Sequence, residues 1–86
     1  IVNLCRERGT TLILQNYPVN YPLANDILRE TAERHSLPFV DNLSVFQTLM
    51  PRKKFILDDD HCSMEGHAVM ADNIVQVLTT LKKVNP

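Results

Sequence analysis

The chain has no tryptophan, two glycines, two cysteines, two tyrosines and three phenylalanines among its 86 residues. Two cysteines are too few for a disulfide framework, and the spacing of Cys5 and Cys62 fits no zinc pattern, so they read as plain thiols or at most one bridge. With only Gly9 and Gly66, there is no glycine-rich phosphate loop, which counts against a receiver-like or nucleotide-binding α/β half. An excess of either charge is also missing. Nine Lys and Arg face ten Asp and Glu for a net charge of -1, which provides no basic field for nucleic acid and no cationic face for a membrane surface. No apolar run approaches the roughly 20 residues that cross a bilayer. No charged-then-apolar leader opens the chain. The first residue is Ile1 rather than Met, so an excised or processed chain is expected and the compartment stays open.

What is present is ordinary globular composition, 44% hydrophobic and 22% charged, which indicates one domain or a piece of one. A chain of this size buries only about 60% of the surface its unfolded form exposes, so an isolated α/β unit with few strands would be marginal. Ile1, Leu4 and Cys5 read as the last turns of a helix, stopped at Gly9. The run Thr10 to Leu14 is β-branched and apolar on successive residues, the pattern of a strand buried on both faces of a parallel sheet. The prolines and asparagines from Asn16 to Pro22 predict a loop at its C-terminal end.

A helix over about Leu23 to His35 follows, with Pro22 in its first turn and a stripe of Ala24, Ile27, Leu28, Thr31 and Ala32. Leu37, Phe39 and Val40 predict a second short strand, parallel to the first, although Pro38 weakens it. A short helix through Val45, Phe46 and Leu49 closes at Pro51, and Pro51 to Cys62 reads as a loop whose Arg52, Lys53 and Lys54 are solvated. Ser63 then has the side chain of an N-cap, with Glu65 favourably placed in the first turn of a terminal helix. Its expected packing face is His67, Met70, Ala71, Ile74, Val77, Leu78 and Leu81. This alternation argues a layered α/β architecture with parallel strands. Two strands cannot complete a doubly wound sheet, so the first half of the sheet is expected outside this chain, and low stability or self-association follows from the unpaired edge.

The chemistry-bearing stretch is Leu57 to His67. A histidine acting as general base needs an acceptor on its second nitrogen to hold one tautomer and to stabilise the imidazolium that forms. Asp58 stands three residues before His61 on a tight loop, an offset from which it can fold back on the ring, whereas aspartates nearer the histidine are less well placed. Asp59, Asp60, His61 and His67 as a metal cluster, Cys62 as a nucleophile and His67 as a second base are weaker readings than acidic loop, plain thiol and packing or capping residue. Tyr17, Asn20 and Tyr21 follow a parallel strand where ligand crevices form, and either contact substrate or simply stabilise the turn.

Asp58-x-x-His61, then Gly66, His67 and a helix carrying Met70-Ala71, placed after a βαβ unit whose first strand ends in Asn16-Tyr17-Pro18, resembles the last motif block of the SGNH/GDSL serine hydrolases. The resemblance spans most of the chain, with its specific part between Asp58 and Ala71. It implies the C-terminal portion of a flavodoxin-like three-layer α/β/α domain with parallel strands, occupying residues 1–86. It also implies hydrolysis of acyl or acetyl esters of small molecules, glycans or lipids, without metal or cofactor. His61 is then the base and Asp58 its orienting acid. The family's serine in Gly-Asp-Ser context and its oxyanion-hole glycine and asparagine have no counterpart here, since Ser36, Ser44 and Ser63 lack that context. The isolated chain is therefore expected to be inactive, and the missing N-terminal half is its implied partner. The competing reading is a non-catalytic α/β interaction module that retains the fold.

Overall fold

A computed structural model describes residues 1–84, with helices α1 (Val2–Glu7), α2 (Pro22–Arg34), α3 (Asn42–Phe46), α4 (Arg52–Phe55) and α5 (Met64–Val84), and strands β1 (Leu14–Gln15) and β2 (Phe39–Val40). The strands pair in parallel, Leu14 opposite Phe39 and Gln15 opposite Val40, with α2 between them in sequence. This is the expected βαβ unit of a mixed α/β fold. Leu14 N–H donates to the Pro38 carbonyl at 3.1 Å and Asn16 N–H to the Val40 carbonyl at 3.2 Å, extending the ladder by one bond at each end.

The first strand is much shorter than the sequence pattern predicts. Thr10 to Ile13 lie outside it, and Leu12, Ile13 and Leu14 are half-buried rather than covered on both faces. Register gives the reason: β1 has a partner on one edge only, and that partner begins at Phe39, because Pro38 has no N–H to donate and Leu37 is spent ending α2. Leu37 N–H reaches the Ala32 carbonyl at 2.8 Å and Ser36 N–H the Glu33 carbonyl at 3.3 Å, with Ser36 at φ +54. This pair of bonds around a left-handed residue is a Schellman stop.

Three further segments depart from expectation. The helix predicted through Val45 to Leu49 starts earlier and ends at Phe46, because the Asp41 carboxylate accepts from Ser44 N–H at 3.2 Å and caps it. The stretch read as a loop from Pro51 contains α4, a single turn on which Arg52, Lys53 and Lys54 remain exposed. Ile56 and Cys62 then form an antiparallel bridge. The cap on α5 is as predicted, since Gly66 N–H donates to Ser63 Oγ at 3.1 Å. Ser63 Oγ also donates to the Lys54 carbonyl at 2.5 Å, so one hydroxyl joins the end of α4 to the start of α5.

Helix α2 packs on β1, α5 on β2, and α4 against α5. The buried apolar core among the described residues is small, Ala32, Val40, Phe46 and Ile56, and Asn16, Asn25, Asn42 and Asn73 are buried with it. Several residues predicted to pack are instead exposed, including Ile27 on α2 and His67, Ala71 and Leu78 on α5. The radius of gyration, 14.2 Å, exceeds the roughly 12 Å of a compact domain of this length. A two-stranded sheet lets each helix bury one narrow stripe, and the flanks of both stripes meet solvent. No helix of the described residues is long and apolar enough to cross a membrane.

Candidate functional site

The C-terminal ends of both strands are fastened by a side-chain network. Asn42, fully buried, donates from Nδ2 to Gln15 Oε1 at 3.0 Å and to the Asn16 carbonyl at 3.1 Å, while its Oδ1 accepts from Asn73 Nδ2 at 3.0 Å. Strand β1 and helix α5 are thus joined through one amide at the start of α3, just after β2. Asn16 completes the circuit, donating to Asp41 Oδ1 at 2.9 Å and accepting from Leu43 N–H at 3.1 Å. No buried side-chain polar atom among the described residues lacks a partner, the condition under which a buried polar network stabilises rather than costs.

Asp41 is the charged member of this network. Burial pushes its carboxyl up, but the hydrogen bonds from Ser44 Oγ at 2.7 Å, Arg29 at 2.7 Å, Asn16 and the Ser44 N–H outweigh that and hold it well below the usual carboxylate range. A carboxylate depressed in the folded state adds stability that is present above its unfolded pKa, ordinarily 3.8, and is lost as pH falls toward the folded value. Asp41→Asn is therefore expected to cost about 1–3 kcal/mol at neutral pH through the lost charge-assisted bonds from Arg29 and Ser44 Oγ, since asparagine can still cap the helix. The gap from wild type should begin to narrow as pH falls below about 4 and go on narrowing toward the folded value. Denaturant unfolding at pH 7 and pH 3 checks this, and an equal gap at both would refute it.

His61 sits on a hairpin. Leu57 N–H donates to the His61 carbonyl at 2.7 Å and Asp60 N–H to the Leu57 carbonyl at 3.0 Å, so Asp58 and Asp59 occupy the centre of the turn. Asp60 follows at φ +64, the left-handed residue that such three-residue hairpin loops use. The carboxylate facing the ring belongs to Asp59: Oδ2 lies 3.1 Å from His61 Nδ1, and Oδ1 accepts from His61 N–H at 3.2 Å. An aspartate accepting from the N–H two residues on is an Asx turn, and it brings Asp59 to the imidazole. Asp58, expected there from its offset, sits earlier in the same turn, exposed and not hydrogen-bonded to His61. The His61 N–H, then its ring, hold the Asp59 carboxyl below the usual range. The His61 side chain is 80% exposed.

Gly66, four residues into the motif from Cys62, fixes this hairpin to the scaffold. It is buried with its Cα against the Phe55 carbonyl, which itself accepts from Ser63 N–H at 3.0 Å. Cys62 is half-buried, with Sγ 3.5 Å from Met70 Sδ, and burial pushes its thiol pKa up. A raised pKa leaves less thiolate, the opposite of nucleophile activation. His67 is exposed instead of packing on the apolar face. Among the described residues no three His, Cys, Asp or Glu side chains come together as a metal ligand set.

The loop after β1 is held by Asn25, whose Oδ1 accepts from Tyr17 N–H at 2.8 Å and whose Nδ2 donates to the Val19 carbonyl at 3.1 Å. Tyr17 is half-exposed and meets Tyr21 edge-on, ring centroids 5.4 Å apart. Asn20 points elsewhere, onto the lining of a cavity shared with α3 and α4. The two candidate substrate contacts thus lie on the same loop and serve different surfaces. The asparagine network was missed by sequence reasoning. Its signal was a polar amide or acid immediately after each strand, Asn16 after Gln15 and Asp41-Asn42 after Val40. Comparison with protein-family models, with curated proteins and with solved structures finds no match to this chain.

Proposed function

We propose that the chain is the C-terminal part of a serine-dependent ester hydrolase, contributing His61 as general base and a carboxylate of its hairpin as orienting acid. The observation that carries the reading is the presentation of His61: an exposed imidazole on the residue that closes a hairpin turn, Nδ1 on the Asp59 carboxylate 3.1 Å away and the other side of the ring open to an incoming hydroxyl. An imidazole so paired can take a serine proton and return it to the leaving group. The parallel βαβ unit and the Gly66-anchored helix after the motif agree with the SGNH-like arrangement that the sequence resembles. The unpaired edge of β1 and the exposed apolar residues Leu23 and Ile27 are surfaces that a further layer of the domain would cover.

The alternative, an α/β interaction module that keeps the fold without a nucleophile, draws on the same exposed residues of α2. Hydrolysis of a short acyl nitrophenyl ester separates the two. The full-length protein should turn over, the 86-residue chain should not exceed background, and adding the upstream half should restore activity. An inactive full-length protein would overturn the hydrolase reading, and an active isolated chain would overturn the placing of the nucleophile outside these 86 residues.

A further inference from the structure

We propose that helix α5 carries a self-association surface whose occupant is a second copy of this chain, docked antiparallel on the face turned away from the sheet. The inward face runs through Gly66, Met70, Asn73, Val77 and Leu81, all buried or half-buried. On the opposite side Met64, Ala68, Ala71, Val75 and Leu78 follow one another at alternating four- and three-residue steps, and every one is exposed. Met64 is 87% exposed, Val75 56% and Leu78 48%. A surface helix ordinarily has one apolar stripe and a polar back. Here the back itself is apolar, with the seven-residue spacing of a coiled-coil seam that ends at Lys82.

The order of side-chain sizes along this seam selects the partner. Ala68 and Ala71 make its first half small, and Val75 and Leu78 make its second half large. Two parallel copies would set alanine against alanine and leave a gap. An antiparallel pair about a twofold axis level with residue 73 matches unlike sizes instead. Ala68 then faces the second copy's Leu78, and Ala71 the second copy's Val75, so each layer holds one small and one large side chain, as close packing between helices requires. Charge agrees with this register. Lys82, in the last turn, comes to Met64 and Glu65 in the first turn of the second copy, which places an ion pair at each end of the seam. No ion pair among the described residues already uses Glu65 or Lys82. Asp72, near the axis, meets its own copy and opposes the pairing.

A single helix pair buries less than the roughly 1,200–2,000 Å² of a stable interface, so the dimer is weak and concentration-dependent. Its surface is separate from the open edge of β1, which a further part of the domain covers on the hydrolase reading. The α5 contact does not depend on that reading and persists in the full-length protein.

The test is sedimentation equilibrium of the full-length protein at low salt, from about 10 µM to about 1 mM, where a dimer with a dissociation constant on the order of 100 µM is read directly. Val75→Glu and Leu78→Glu, both at exposed positions, should each weaken dimerisation about tenfold or more, because the twofold axis puts the new charge into the seam twice. Lys82→Glu should weaken it about two- to fivefold, and adding Glu65→Lys to the same chain should restore it. Asp72→Asn should tighten it about twofold. Disulfide trapping reads the orientation: Ala68→Cys mixed with Leu78→Cys should cross-link, and Leu78→Cys alone should not. Circular dichroism shows that each variant is folded, and the charge swap decides if a glutamate in the seam unfolds the helix. A monomer at about 1 mM, or a dimer indifferent to Val75→Glu, Leu78→Glu and Lys82→Glu, would overturn the proposal. So would Leu78→Cys that links to itself as fast as the mixture does.

Discussion

Gly66→Ala is expected to destabilise the protein by about 3 kcal/mol or more, lowering the melting temperature by roughly 10 °C or more if the cooperative unit is the size of this chain. Substitution of a helical glycine by alanine ordinarily stabilises, by about 0.5–1 kcal/mol, because alanine loses less backbone entropy. Here the sign reverses. A Cβ on Gly66 would overlap the Phe55 carbonyl oxygen and press on Cys62 Cβ. The obstacle is backbone, so no rotamer change relieves it. Either α4 shifts, giving up the Ser63 bonds to the Phe55 and Lys54 carbonyls, or α5 lifts from its cap. Both movements displace the Ile56–Cys62 bridge that closes the His61 hairpin. Ala68→Gly, at an exposed position of the same helix, is the control and should cost only about 0.5–1 kcal/mol. Thermal unfolding followed by circular dichroism reads both. A higher melting temperature for Gly66→Ala would show that the close approach does not constrain the fold.

That contact illustrates what the sequence carried and what it did not. The helix start at Ser63, the end of α2 near His35 and the parallel pairing of Phe39-Val40 with the end of the Thr10–Leu14 run were legible, because caps, prolines and apolar periodicity are local signals. Strand length was not. It depends on which neighbours a strand finds, and β1 finds one. Helix faces were legible only in part, since periodicity marks a stripe but not the width that the sheet can cover. Ile74, Val77 and Leu81 are half-buried, while Leu78 and His67, from the same predicted face, are not. Asn73 sits buried within that face as a partner of Asn42, and hydrophobicity gives no warning of a buried amide. The motif around His61 was visible as composition and spacing. Which of its three aspartates meets the ring was decided by turn geometry, through an Asx turn and a left-handed Asp60.

On the proposed hydrolase reading, His61→Ala in the full-length protein is expected to lower ester turnover by at least about 10³-fold, because removing the base of a serine triad would leave only binding and oxyanion stabilisation. The carboxylates are expected to divide unequally. The Asp59 contact is an exposed pair, 68% and 80% of the two side chains being accessible. Exposed pairs hold their geometry weakly and are screened by salt, so Asp59→Asn should cost about fivefold at most. Any larger dependence on a carboxylate falls to Asp58, which has the three-residue offset of the motif but does not touch His61 in this structure, so the offset argument requires the hairpin to turn Asp58 onto the ring in the full-length domain. In that arrangement Asp58→Asn should cost about 10²–10⁴-fold by leaving the imidazole in the wrong tautomer. Asp60→Asn should do little, because asparagine also tolerates the left-handed backbone that Asp60 adopts and the Arg52 contact it loses is long and exposed. The measurement is kcat/KM on a short acyl nitrophenyl ester for these four variants at neutral pH, with circular dichroism to show that each is folded. If Asp59→Asn falls as far as His61→Ala while Asp58→Asn retains activity, the pair at 3.1 Å is the working dyad and the offset argument is wrong. If His61→Ala keeps wild-type rates, the assignment of the base fails.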